Sequence, residues 1–414
     1  MNYKLTAPER VMTTVFLPTS KSISNRAFIL SALSGSEIEY LMADCDDTKS
    51  MLKALSNPEA TTINVGAAGT AMRFLTAYYA VQEGKDVTID GTMRMRERPI
   101  KVLVDALRAC GADIEYLGEE GFPPLRIKGR KLECEEIEIS GSVSSQYISA
   151  MLMIAPKIKG LKRVKLTGEV VSRPYIAMTL RMMDKFGVKV QWDNDTIEFE
   201  DNARYTPTRF LVEHDWSAAS YWFEIAALIP RTMATMHHLF SPVASMQGDA
   251  KVADIFLNFG VILALGGSGQ DIINDSSLKK AARLDIDMSK TPDLAQTVVV
   301  TSCLLDIPFR ITGLQTLKIK ETDRIEALRT QLLKMGYVIE VGEDLSLMWD
   351  GKKCKCDEEI RIDTFEDHRM AMAFAPAAVK FKGIIINDIE VVSKSYPNYW
   401  RDLRDCGFEL EEVK

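Results

Sequence analysis

The chain has 414 residues, more than one hydrophobic core usually supports, so two domains are expected. Hydrophobic residues make up 46% and charged residues 26%, and 51 basic against 58 acidic side chains leave a net charge of −7. That balance speaks against nucleic acid as the partner, while leaving room for a local cationic cleft that takes a small anion.

No apolar run approaches membrane-spanning length and residues 1–10 hold no apolar targeting core, so no membrane contact and a cytoplasmic location are expected. The seven cysteines are scattered, Cys354 and Cys356 lie too close for a usual metal pair, and only four histidines are present. Free reduced thiols and no metal site are the expectation.

In chain order, residues 11–17 read as a short strand broken by Pro18, Thr19 and Ser20, whose hydroxyls can cap a helix beginning near Ile23. Lys21, Ser22 and Arg26 then fall at a helix start, where unbonded backbone N–H groups favour an anion. Gly66, Ala67, Ala68 and Gly69 stand between a strand over 61–65 and a helix over 74–81. Small residues there let a ligand approach the backbone, although a glycine-rich turn alone marks no more than a turn. Ser144, Ser145 and Gln146 repeat the arrangement ahead of a helix over 147–155. Ser172, Arg173, Pro174 and Tyr175 open a helix over 176–186, with Pro174 in a first-turn position. Asp215 with Ser217, Thr291 with Asp293, Lys320 to Arg324, Asp367 with His368 and Arg369, and Lys394 with Pro397 sit in equivalent places further on. Singly, each is an ordinary helix cap with solvated charges. Together they form a deep polyanion site if those helix starts converge.

A repeat runs through the same chain. A helix, a glycine, a short alternating strand, a turn and a second strand recur around Gly111, Gly187, Gly260, Gly336 and Gly407. The glycines stand roughly 70 to 75 residues apart, a longer period than solenoid repeats have. Each is placed to end a helix in the left-handed conformation, and a degenerate earlier copy is expected over 47–63. Helices in series with strands imply layers of helix packed on sheet.

The stretches 19–26, 66–73, 97–99, 141–146, 320–324, 367–370 and 394–397, in order over essentially the whole chain, closely resemble the enolpyruvyl transferases that act on shikimate 3-phosphate. The resemblance implies an α/β fold of two similar domains, each of three βαβαββ repeats arranged like an inside-out barrel. It implies a discontinuous domain of residues 1–19 and 214–414, an inserted domain of residues 20–213, and two crossovers that hinge them about an active site between them. The implied reaction passes the enolpyruvyl group of phosphoenolpyruvate to the 5-hydroxyl of shikimate 3-phosphate and releases phosphate, on the route to chorismate and the aromatic amino acids.

By the same resemblance, Lys21, Asp293 and Glu321 are the catalytic candidates, Asp293 facing the 5-hydroxyl and Glu321 the methylene carbon. Lys21, Ser22, Arg26, Ser144, Ser145, Gln146, Ser172, Tyr175, Asp293, Thr316 and Lys320 are the implied ligands of shikimate 3-phosphate. Lys21, Gly69, Arg98, Gln146, Arg324, Arg369 and Lys394 are those of phosphoenolpyruvate, with Arg73, Asp215 and His368 in support. Planar guanidinium groups suit two-point contacts to such anions. No cofactor, metal, nucleic acid or membrane is implied, the partners are the two small metabolites, and a monomer is the expectation.

Three positions depart from the family pattern: Ala67 and Thr316 stand where Asn is common, and Phe74 where Pro is frequent. The related transferase that uses UDP-N-acetylglucosamine carries a loop cysteine where this chain has Met93, and Cys110 lies late in the following helix. A non-catalytic anion- or RNA-end-binding protein would have no use for Asp293 and Glu321 beside the cations. Gly69 implies sensitivity to glyphosate, a mimic of phosphoenolpyruvate.

Overall fold

The computed structural model describes residues 1–36 and 44–414. They form two compact units, an insert unit of Thr19–Val212 and a terminal unit of Met1–Pro18 with Glu213–Lys414.

The insert unit holds helices α1 (Lys21–Ser34), α2 (Asp46–Leu55), α3 (Gly69–Ala80), α4 (Met93–Arg96), α5 (Lys101–Ala109), α6 (Ser145–Ile154) and α7 (Arg173–Lys185). One of its sheets runs in the order Thr62–Asn64, Asp86–Asp90, Leu125–Lys128, Asp113–Tyr116. The first pair is parallel and the other two are antiparallel, so the chain traces βαβαββ. Glu136–Ser140, Arg163–Thr167, Thr196–Phe199 and Val190–Asp193 form a second sheet of the same order and senses. Two of the expected repeats are thus present among the described residues of this unit.

The terminal unit holds α8 (Trp216–Leu228), α9 (Val252–Phe256), α10 (Ala295–Leu304), α11 (Arg324–Lys334), α12 (His368–Phe374) and α13 (Tyr399–Asp405), with three sheets of the same plan. Leu284–Asp287, Phe309–Thr312, Leu347–Trp349 and Glu340–Val341 make one. In the next, Met12–Val15 pairs parallel with Met233–His237, so the insert unit interrupts a single repeat. In the last, the N-terminal strand Asn2–Thr6 lies between Ile384–Ile386 and Glu409–Val413 and closes the repeat formed by the C-terminus. The amide of Asp215 donates to the carbonyl of Pro18 at 2.9 Å, which pins together the points where the chain leaves and rejoins this unit.

The repeat follows from the sequence. Gly111, Gly187, Gly260, Gly336 and Gly407 all take positive φ, between 78° and 105°, each just after a helix and just before a strand. Side chains with a Cβ rarely adopt that conformation, so glycine is what lets the chain reverse into the sheet. The strands alternate buried and exposed residues, as in Leu125–Lys128, whereas every residue of α10 is buried. Helices therefore fill the core of each repeat and the sheets cover it.

Two expectations are corrected. Helices start earlier than their apolar stretches suggest: α3 begins at Gly69 rather than near Phe74, and α1 begins at Lys21 rather than Ile23. First-turn N–H groups lack helical partners in any case, so Gly, Ser, Thr and Arg are tolerated there and the apolar pattern begins late. Ser20 occupies the N-cap of α1 but makes no side-chain capping bond. The second correction concerns the cysteines, expected as free thiols. Cys110, at the end of α5, is bonded to Cys134, ahead of the strand Glu136–Ser140. The Glu133 amide bonds the Cys110 carbonyl at 3.1 Å, and this brings the two Cα atoms to 5.1 Å, within disulfide reach. Cys45, Cys303, Cys354, Cys356 and Cys406 are free thiols.

Glu224, on α8, is fully buried and neither carboxyl oxygen is paired. The neighbouring hydroxyl of Thr301 spends its proton on the Thr297 carbonyl at 2.7 Å. Burial pushes the Glu224 carboxyl well above the ordinary carboxylate range. A raised value means that its contribution to stability is complete below the unfolded value of about 4.3 and is lost as pH rises toward the folded one. Glu224→Gln is therefore expected to raise Tm by a few degrees at pH 8 and to leave it nearly unchanged at pH 4, at about 2–4 °C per kcal/mol for a domain of this size. A lower Tm at pH 8 in a calorimetric scan would contradict this reading.

Candidate active site

In the insert unit the starts of α1, α3, α6 and α7 pack together, joined by side chains from their first turns. The Lys21 ammonium lies 3.3 Å from Asp47, a buried first-turn residue of α2. Arg26 is 2% exposed, and its guanidinium donates to Thr179 at 2.7 Å, Ser149 at 2.9 Å, and the carbonyls of Ser22 at 2.9 Å and Tyr175 at 3.5 Å. Burial lowers its pKa to about 10. Phe74 lies beneath that guanidinium, its ring centroid 5.2 Å away, so the aromatic ring in the place of the frequent Pro is a partner for Arg26. Arg26 thereby ties α1 to α6 and α7 in this structure.

Ser144 caps α6 by accepting the Gln146 amide at 3.3 Å, and the Gln146 side chain reaches Thr70 on α3 at 3.2 Å. Ser145 is buried beside them in the first turn of α6. Ser172, buried at the N-cap of α7, takes a left-handed φ of 55°. At the start of α3 the Arg73 guanidinium donates to the Gly69 carbonyl at 2.8 Å and lies over the Tyr147 ring. A Cβ on Gly69 would stand 2.6 Å from Arg98 Nη1 and 2.7 Å from Arg73 Nη1. A side chain here would have to displace the ends of these two guanidinium groups.

In the terminal unit the charges form one cluster around Arg324, the first residue of α11. Its side chain is 1% exposed and binds Asp367 through Nε at 2.7 Å and Nη2 at 3.2 Å. The remaining contacts go to Asp293 at 3.2 Å and Glu321 at 3.0 Å. Arg369 bonds Asp293 at 2.9 Å, Lys320 stands 3.5 Å from Asp293, and Lys394 stands 3.0 Å from Glu321. Four cations thus surround three carboxylates. Burial pulls the Arg324 guanidinium down, but Asp367, Glu321 and Asp293 outweigh it and hold its pKa above the ordinary value. Burial lowers Lys320, with the Asp293 charge opposing.

Local sequence accounts for this gathering. Asp293 lies in the short 3-10 turn Pro292–Leu294 ahead of α10, and Lys320 and Glu321 lie in the loop before α11. His368 and Arg369 open α12, and Lys394 ends the turn Ile389–Lys394. Asp215, Asp323 and Asp367 cap α8, α11 and α12 through bonds to Ala218, Glu326 and Arg369 amides. Asp367 therefore holds the backbone of its own helix and the Arg324 side chain together. Sequence reading assigned it no site role; its signal was a cap two residues before Arg369. His368 is 1% exposed, inside the unit. The Thr316 hydroxyl is buried with no hydrogen-bond partner, so this structure does not present it as a donor.

Repeated βαβαββ units with cations and carboxylates massed at helix starts define a class of α/β enzyme that handles multiply charged small anions by acid–base chemistry. A family model described as EPSP synthase (3-phosphoshikimate 1-carboxyvinyltransferase) matches residues 53–403. The chain is 51% identical over 412 residues to a 3-phosphoshikimate 1-carboxyvinyltransferase of Bacteroides fragilis strain YCH46, covering 99% of each chain. It is 38% identical to one from Shewanella halifaxensis, covering 95% of this chain and 96% of that one. A solved EPSP synthase from Acinetobacter baumannii shares the fold with a TM-score of 0.76 at 21% identity, over 99% of this chain and 100% of that one. The chain belongs to the EPSP synthase family.

The crowding at Gly69 gives a direct test. Gly69→Ala is expected to keep the protein folded while displacing Arg98, so that KM for phosphoenolpyruvate rises about tenfold, a loss of about 1.4 kcal/mol. Glyphosate inhibition should weaken with it. Unchanged values of both in steady-state assays would remove Gly69 and Arg98 from the phosphoenolpyruvate site.

Proposed function

We propose that the protein transfers the enolpyruvyl group of phosphoenolpyruvate to the 5-hydroxyl of shikimate 3-phosphate, yielding 5-enolpyruvylshikimate 3-phosphate and phosphate. The observation that carries this reading is the terminal-unit cluster, where Asp293 and Glu321 are both bonded to the buried Arg324 with Lys320, Arg369 and Lys394 beside them. The cations suit anion binding, and two carboxylates set among them suit proton transfer as well. The name shared by the curated relatives supports shikimate 3-phosphate over a UDP-sugar as acceptor.

In this mechanism Lys21, Ser22, Arg26, Ser144, Ser145, Gln146, Ser172 and Tyr175 hold shikimate 3-phosphate, with Lys320 completing its set; Thr316, whose hydroxyl is buried, is left out of it. Gly69, Arg98, Arg324, Arg369 and Lys394 hold phosphoenolpyruvate. Asp293 takes the proton from the 5-hydroxyl, which adds to C2 while the methylene carbon gains a proton at Glu321. One of the three hydrogens of the transient methyl group then returns to Glu321 as phosphate is expelled, the leaving phosphate taking up the proton held by Asp293, with Lys21 assisting. Phosphate and carboxylate groups compete with Asp293 and Glu321 for the same cations. Binding thus loosens both carboxylates from their partners and raises their proton affinity where protons must move. A cytoplasmic monomer acting on the two small metabolites remains part of this reading; no helix among the described residues is long and apolar enough to cross a membrane.

The test is phosphate release on mixing the protein with both substrates, absent when either is omitted. Lys21→Ala and Glu321→Ala are each expected to lose at least about a hundredfold in kcat with unchanged far-UV circular dichroism. Full turnover in either variant would take that residue out of the mechanism. Calorimetry should detect shikimate 3-phosphate binding and no heat from UDP-N-acetylglucosamine; the reverse would make the UDP-sugar the acceptor.

A further inference from the structure

A fourth carboxyl group of the terminal unit adjoins the cluster without a part in the chemistry described above. Asp249 lies on the turn Gly248–Lys251 ahead of α9 and is 3% exposed. Its Oδ2 accepts a hydrogen bond from the hydroxyl of Ser217, in the first turn of α8, the helix that Asp215 caps. Helix α8 packs both against this turn and against the turn Pro292–Leu294 that carries Asp293, and the charges that act on Asp249 include those of Asp293, Arg369 and Asp215.

Asp293 itself is surrounded by Lys320, Arg324 and Arg369. Three cations on one carboxylate stabilise its charge and so weaken it as a base. A buried negative group beside it opposes that effect. We propose that Asp249 is a positioning residue for the transfer: its carboxylate, held by Ser217 next to Asp293 and Arg369, repels the Asp293 charge and makes Asp293 a stronger base toward the substrate hydroxyl. This role rests on the transferase reading given above.

The sign of the pH dependence follows. Burial first, and the Asp293 charge second, push the Asp249 carboxyl up to about 6, while the Ser217 bond and Arg369 oppose them. Below that pH Asp249 is neutral and exerts no repulsion; above it the charge appears and Asp293 gains basicity. The kcat profile of the wild-type enzyme therefore carries a rise near pH 6.

The experiment is the pH profile of kcat, from phosphate release with both substrates saturating, for the wild type, Asp249→Asn and Ser217→Ala. Asp249→Asn is expected to abolish the rise near pH 6 and to lower kcat at pH 8 about three- to tenfold, with both KM values within about twofold. Ser217→Ala keeps the carboxyl but removes the bond that favours its charged form, so the rise is expected to move to higher pH. This second variant keeps the proposal testable if Asp249→Asn does not fold. Profiles of both variants superimposable on the wild type, or a uniform loss at every pH, would overturn the role of Asp249 alone. No phosphate release by the wild type would overturn the transferase reading itself.

Discussion

The terminal unit depends on one buried guanidinium. Arg324 is almost wholly removed from water, and an uncompensated charge there would cost several kcal/mol. Asp367 meets it with two oxygens, and Asp293 and Glu321 take its outer contacts. These three carboxylates come from the turn before α10, the loop before α11 and the cap of α12, so satisfying one arginine fixes three chain segments against each other. Asp293 and Glu321, the proposed catalytic carboxylates, are thus positioned by the need to neutralise a charge, and breaking a pair of this kind typically costs about 3–5 kcal/mol.

The insert unit solves a related problem with fewer carboxylates. Arg26 is buried among hydroxyls, carbonyls and the Phe74 ring, and it draws α1, α6 and α7 together. Gly69 brings its backbone against the guanidinium groups of Arg73 and Arg98, which a side chain there would push aside.

Much of the fold was legible because it rests on local rules. The five repeat glycines were readable from the helix-then-strand pattern, and all five take the left-handed conformation that ends a helix. Helix starts were legible only to within a few residues, because first-turn residues answer to ligands and caps rather than to the apolar core. Arg324, Arg369, Lys320 and Lys394 were identifiable as cations at helix starts, and the structure gathers them in one cluster. The partners that organise them were not identifiable. Asp367 looked like a cap, Asp249 sits in a turn with no periodic signal, and Asp47 opens the helix of the degenerate repeat copy with nothing to mark it as a partner of Lys21. Each acquires its role through a contact between segments far apart in sequence. The Cys110–Cys134 bond escaped for the same reason, since a separation of 24 residues says nothing about which backbone segments pair.

In the proposed mechanism Glu321, anchored on Arg324, exchanges protons with the methylene carbon of phosphoenolpyruvate. Running the reaction in deuterium oxide and weighing the product by mass spectrometry tests it directly. Protonation of the methylene carbon makes a transient methyl group, so the recovered product is expected to carry deuterium in its vinyl methylene, and Glu321→Gln is expected to abolish that label. Product formed in full yield with no deuterium on that carbon would contradict addition and elimination at this site.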